Sequence, residues 1–194
     1  VEQPRLIIEV HSESEVDSES LSIIKNRVQH MLQTDTDLSL FYELMSRDRS
    51  LQELNRTLNG LRPVLEPDLF ACIVQVIIGQ QLNISFAATL KQRLMELTAQ
   101  PVEFNGKHYP VFPSAEQVAR LNYEDLRPLQ FSQRKAEYII DFARTIVNGE
   151  IDLYQLEDKE DEEILQVLTR YRGIGRWTVE CFLLFGLGRP DLLP

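Results

Sequence analysis

Two cysteines, three histidines, one tryptophan and eight glycines are all that this chain holds of the residue types that most often staple, coordinate or bend a fold. Cys72 and Cys181 are far apart in apolar surroundings, where a thiol behaves as a small hydrophobe, so no disulfide framework is read and a reducing compartment is expected. His11, His30 and His108 are scattered; no zinc or iron–sulfur ligand spacing exists, and no transition-metal cofactor is expected. The longest apolar stretch, Ala71 to Gly79, is interrupted by Gln75 and falls short of the ~20 residues that span a bilayer, so no membrane partner is expected. The N-terminus lacks the basic, apolar and small-residue order of a signal peptide and begins at Val1, which reads as a trimmed or processed start.

What the chain does hold is apolar mass and acid. Its 194 residues are 43% hydrophobic, enough to bury a core in one large domain or two small ones. The formal net charge of −10 argues against a nucleic-acid partner, because phosphate binding draws its free energy largely from counterion release around lysine and arginine. The acidity is uneven, however. Residues 9 to 19 carry Glu9, Glu13, Glu15, Asp17 and Glu19, and residues 157 to 163 carry six carboxylates against Lys159 alone. Between Arg170 and Arg189 the balance reverses, with Arg170, Arg172, Arg176 and Arg189 against the single carboxylate Glu180. These clusters read either as solvated helix faces or as one basic face set apart from acidic ones, and it is the local face that a polyanion meets.

Arg5 to Val10 is short and β-branched and reads as the one convincing strand; it is followed by a helix capped at Ser18 or Ser20 that carries Leu21, Ile24, Val28 and Leu32. From Asp37 the pattern is helical: short helices near Leu38 to Met45 and Ser50 to Leu58, then a boundary at Arg62-Pro63 and Glu66-Pro67. Leu69 to Gly79 reads as a helix apolar round most of its circumference, Gln80-Gln81-Leu82 as a turn, and Asn83 as the cap of the next helix. Pro101 to Pro113 reads as loop, Ser114 and Ser132 as helix caps, and Asp158 or Asp161 as the start of another helix. The fold class is mainly α with a small α/β portion at the N-terminus, divided at 1–36, 37–66 and 67–194.

Leu168 to Leu184, LTRYRGIGRWTVECFLL, places two glycines either side of Ile174 between helical segments. Positive φ at both glycines would reverse the chain tightly, Ile174 would tuck between the helices, and amides at the second helix's N-terminus would face an anion. Arg172 and Arg176 stand beside that turn. The same residues also suit an ordinary interhelical turn.

That segment, together with Phe70 to Ala88 (FACIVQVIIGQQLNISFAA) and Phe112 to Ala143, resembles the DNA-3-methyladenine glycosylase II family of the helix-hairpin-helix DNA glycosylase superfamily, over approximately Asp37 to Pro194. The opening strand and helix resemble the tail of that family's N-terminal β-rich subdomain. The resemblance implies base-excision repair: hydrolysis of the N-glycosidic bond of alkylated purines after the nucleotide is flipped out of double-stranded DNA. It implies a phosphate-binding hairpin of Arg172, Gly173, Ile174, Gly175, Arg176 and Thr178, a DNA wedge at Gln81 with Leu82 beside it, and a base pocket at Trp177 and Cys181. Gln81 as a loop residue and Trp177 as core packing remain the structural alternatives. In bifunctional relatives the hairpin position of Trp177 holds a Schiff-base lysine, so the resemblance implies a monofunctional hydrolase that uses an aspartate. The catalytic residue is none of those present: the family pattern puts that aspartate two or three residues beyond Pro194, and Asp191 is not promoted to the role. No diffusible cofactor is implied beyond a Na⁺ or K⁺ on the carbonyls of Tyr171, Gly173 and Gly175. A monomer is expected, in the cytoplasm with the nucleoid if bacterial and in the nucleus if eukaryotic. Two rival readings are a non-catalytic DNA-binding or scaffold protein on the same fold and a helical protein-interaction module with an acidic surface.

Overall fold

The computed structural model describes residues 5–12, 14–98 and 101–194, which fall into two compact units, Val1–Pro67 and Asp68–Pro194. The first contains α1 (Ser18–Leu32), α2 (Ser39–Arg47) and α3 (Gln52–Thr57). Asp17, rather than Ser18 or Ser20, caps α1, its carboxylate accepting from the Ser20 amide at 2.7 Å. Segments on either side of residue 36 are tied by Leu65 N–H donating to Met31 O and by Arg62 donating to Thr36 O. The expected strand at Arg5 to Val10 does not form: that segment is irregular, with Ile7 83% exposed. β-branched residues favour a strand only when a neighbour pairs the backbone, and among the described residues none pairs with this one.

The second unit is organised about α4 (Leu69–Gly79), against which α5 (Ile84–Thr98), α8 (Gln133–Val147) and α10 (Arg176–Phe185) all pack. Leu69, Ile73, Ile77 and Ile78 of α4 are each at most 2% exposed, so the helix is buried round most of its surface, as its near-continuous apolar sequence requires. Burying each such side chain contributes about 1.5–3 kcal/mol of transfer free energy. Asp68 caps α4 through the Ala71 amide, and Asn83 starts α5 by accepting from Phe86 N–H. The shorter helices α6 (Ala115–Ala119), α7 (Tyr123–Leu126) and α9 (Asp161–Leu168) complete the unit, with Ile139, Ile140, Phe142, Ile164 and Phe182 filling its interior. Ser114 forms a reciprocal capping box with Gln117. α9 starts at Asp161, one of the two starts expected, and Glu160 caps it in a reciprocal box with Glu163.

Between α5 and α6 the expected loop holds an antiparallel hairpin, β1 (Val102–Phe104) and β2 (Lys107–Tyr109), with Val102 opposite Tyr109. Its turn is Asn105-Gly106, both at positive φ (49° and 71°), the pair that lets a two-residue turn follow the twist of its strands. Among the described residues no helix is long and apolar enough to cross a membrane.

Candidate nucleic-acid interface

The helical hairpin is built from α9, a turn at Tyr171 to Gly175, and α10. Gly173 takes φ +85°, and Ile174, 4% exposed, turns into the core between the helices. Gly175 does not share the left-handed conformation expected of it: at φ −99° and ψ 178° it is extended backbone, and it is the N-cap of α10. Its lack of a side chain has another consequence. No side chain caps α10, so the first amides of the helix, at Arg176 and Trp177, keep donors for an outside acceptor. A Cβ on Gly175 would meet no atom within 4 Å, so the surface before those amides is open.

The basic face around the turn is partly neutralised from other elements. Arg172 pairs with Glu137 of α8 at 3.0 Å and lies over the Tyr138 ring, 5.5 Å from its centroid. Arg176 pairs with Glu180 at 3.4 Å and reaches Glu162 at 3.9 Å. Gln133, and then Arg172, hold the Glu137 carboxyl below its ordinary value. Arg189 faces elsewhere, bonded to Asp161 and to the carbonyls of Glu157 and Lys159.

Beside the hairpin lies a cleft of about 430 Å³, walled by Ile78 and Gly79 of α4, by Leu82, by Ile84, Ala87, Ala88 and Lys91 of α5, and by Trp177 of α10. Trp177 belongs to both features: its amide lies in the first turn of α10, and its indole, 46% exposed, forms a cleft wall. A helix N-terminus able to receive a phosphate thus adjoins an apolar cleft large enough for a flat base.

The sequence pattern of HhH-GPD superfamily base excision DNA repair proteins matches residues 74–194. The chain belongs to this superfamily. It is 40% identical over 172 residues to the putative DNA-3-methyladenine glycosylase YfjP of Bacillus subtilis, an alignment that covers 88% of this chain and 54% of that protein. Its fold is similar to that of 3-methyladenine DNA glycosylase from Archaeoglobus fulgidus, with a TM-score of 0.79 and 28% identity over 93% of this chain and 60% of that one. It is also similar to the Schizosaccharomyces pombe 3-methyladenine DNA glycosylase Mag1 in complex with abasic DNA, with a TM-score of 0.62 and 28% identity over 78% of this chain and 71% of that one. The chain spans about half the length of the curated relatives it matches.

Within this HhH-GPD domain the structure separates residues that the sequence grouped. Leu82 and Trp177 share the cleft, whereas Gln81 stands exposed on the turn at φ +56° and is not among the lining residues. Cys181 is 4% exposed and also outside the lining; burial, and then Glu180, push its thiol upward. Thr178, expected on the phosphate-binding face, is 2% exposed and its hydroxyl faces the protein, accepting from Gln80 Nε2 at 3.0 Å. On a helix of about 3.6 residues per turn each side chain points about 100° round from the one before, and position 178 falls on the inward face.

Three contributors went unread in the sequence. Gln80 donates to Gly173 O at 2.8 Å as well as to Thr178, and Lys135 of α8 donates to the carbonyls of Ile78 and Gln80. Burial holds the Lys135 ammonium below its ordinary value. Lys91, on the cleft wall, donates to Gln75 at 2.7 Å. A polar residue just past the end of a buried helix was the available signal for Gln80. The carbonyls of Tyr171, Gly173 and Gly175 each accept one hydrogen bond, from Ile174 N–H, Gln80 Nε2 and Val179 N–H. Each therefore retains one lone pair, a neutral donor set that fits a weakly held monovalent cation better than a divalent one.

Proposed function

We propose that this chain carries the DNA-gripping and base-receiving part of a monofunctional glycosylase that removes alkylated purines of the 3-methyladenine kind from duplex DNA. The observation that carries the reading is the double position of Trp177, whose amide lies in the first turn of a helix that no side chain caps while its side chain walls the cleft. A phosphate held by those amides would bring the adjoining nucleotide to the cleft mouth. Rotating a base out of the stack costs a few kcal/mol, least for a damaged one, and an indole face offsets part of that by stacking on a cationic alkylpurine. Tryptophan offers no amine, so the resemblance of this position to the Schiff-base lysine of bifunctional relatives supports water as the nucleophile here. A Na⁺ or K⁺ on the carbonyls of Tyr171, Gly173 and Gly175 would add positive charge beside the bound phosphate.

The test uses the full-length protein and duplex DNA methylated at purines, with free bases measured by chromatography. Release of 3-methyladenine or 7-methylguanine without strand cleavage is expected. Tight binding to an abasic-site analogue with no base released would leave a DNA-binding protein and overturn the catalytic reading.

A further inference from the structure

Gln80 is held at three points. Its side-chain amide spends both N–H groups on the hairpin, one on Gly173 O at 2.8 Å and one on Thr178 Oγ1 at 3.0 Å, across 93 and 98 residues of sequence. Its own carbonyl accepts from Lys135 Nζ at 2.8 Å, and the same ammonium caps the Ile78 carbonyl at the end of α4. Its amide closes α4 by donating to Val76 O and Ile77 O. The next residue, Gln81, is exposed and left-handed, and Leu82 after it enters the cleft. Gln80 therefore joins the turn beside the cleft to the turn that presents the α10 amides.

We infer that Gln80 is a positioning residue that sets the Gln81–Leu82 turn in register with the phosphate-binding hairpin, so that the grip on the strand and the element entering the vacated base position act as one rigid piece. This rests on the glycosylase reading above. A side chain pushed into a base stack is pushed back, and its turn yields unless something fixes it. Thr178 is the only buried polar residue among those described, and Gln80 is its donor. Removing that amide leaves a buried hydroxyl and the Gly173 carbonyl without this partner, and uncouples the turns. The arginines and amides that meet undamaged DNA are untouched.

The experiment compares full-length wild type with Gln80→Leu and Thr178→Val, by fluorescence anisotropy on two duplexes, one undamaged and one with a tetrahydrofuran abasic-site analogue. Wild type is expected to prefer the abasic duplex. Gln80→Leu is expected to reduce that preference about tenfold, entirely in the abasic arm, the scale of two net hydrogen bonds. Thr178→Val, which keeps the Gly173 bond, should fall between, and it decides the matter if Gln80→Leu does not fold. Parallel losses on both duplexes mean a merely structural role and overturn the assignment, as does an unchanged preference in the folded variants. Equal affinity of wild type for the two duplexes overturns the glycosylase reading, and the assignment with it.

Discussion

Gly173 lies so close to the ring of Tyr138 that a Cβ on the glycine would stand 2.2 Å from the ring's Cγ. The contact involves the base of the ring and the Tyr138 Cβ as well, so rotating the tyrosine does not relieve it. The hairpin is therefore seated on α8 at a point where only a bare backbone fits, and φ +85° adds a conformational demand. Gly173→Ala should cost about 2–5 kcal/mol, the sum of a left-handed alanine and an overpacked contact. Urea unfolding measures it; a loss below about 0.5 kcal/mol, the range of an ordinary surface change, would show that the turn relaxes freely.

Gly175 makes the opposite demand. Its backbone is ordinary and a Cβ there meets no atom, so Gly175→Ala should change stability by less than about 1 kcal/mol, the gain through the unfolded chain offset by the poorer N-cap that alanine makes. The added methyl group would nevertheless stand where a phosphate must approach the α10 amides. Duplex affinity should fall about tenfold, the order of one or two charge-assisted hydrogen bonds. Affinity unchanged in a stable variant would place the phosphate elsewhere.

The contrast between the two glycines marks how far the sequence could be read. Gly-Ile-Gly announced a turn, and Ile174 between the glycines could be assigned to the core because an apolar residue there has one place to go. Conformation is not written in residue type: glycine permits positive φ without requiring it, and only one of the pair adopts it. Helix starts were legible where a small cap met an apolar period, at Ser114, Ser132 and Asn83. The strand at Arg5 to Val10 was misread because strand formation depends on a neighbour outside the segment. The Asn105-Gly106 hairpin was missed although its turn signal was present, because its strands are three residues each and alternate weakly. In the site, Trp177 and Leu82 were reached through the family resemblance, and both line the cleft. The bonds that tie Gln80 to the hairpin and Arg172 to Glu137 were not legible, since each joins residues at least 35 positions apart.

That pairing bears on how the acidic chain would meet DNA under the proposed function. Glu137, with its side chain 22% exposed, holds Arg172 at 3.0 Å, so a phosphate must compete for the guanidinium. Glu137→Gln removes the competitor while preserving the shape. Exposed pairs contribute about 0.2–1 kcal/mol, which sets an expected gain of about 1.4- to 5-fold in affinity for undamaged duplex. The slope of log affinity against log salt should steepen by up to about 1 as one more phosphate contact forms. Weaker binding would mean that Glu137 orients Arg172 toward the strand.

Trp177→Ala tests recognition once its folding cost is measured beside it. Trp177 is 46% exposed, so about half of a large side chain is buried and stability should fall by about 1.5–2.5 kcal/mol, roughly half the cost of truncating a fully buried aromatic. Stacking of an aromatic side chain on a base contributes about 1–3 kcal/mol, so excision of an alkylated purine should slow roughly 5- to 150-fold, with binding to undamaged duplex much less affected. Unimpaired excision would remove Trp177 from the base-receiving cleft.

Lys135 gives the fold a signature in alkaline solution. Burial lowers its value in the folded state below the 10.5 of the unfolded chain. Between the two values the unfolded chain binds more protons than the folded one, so stability rises with pH across that window; below it both states are protonated and the contribution is flat. The neutral amine still has two N–H groups, enough for the Ile78 and Gln80 carbonyls that the ammonium serves. Subtracting the urea-unfolding free energy of Lys135→Met from that of wild type at each pH removes the titration common to both. The difference should climb in favour of wild type as pH approaches 10.5; a difference that is flat or falls would mean that folding does not disfavour the charged form.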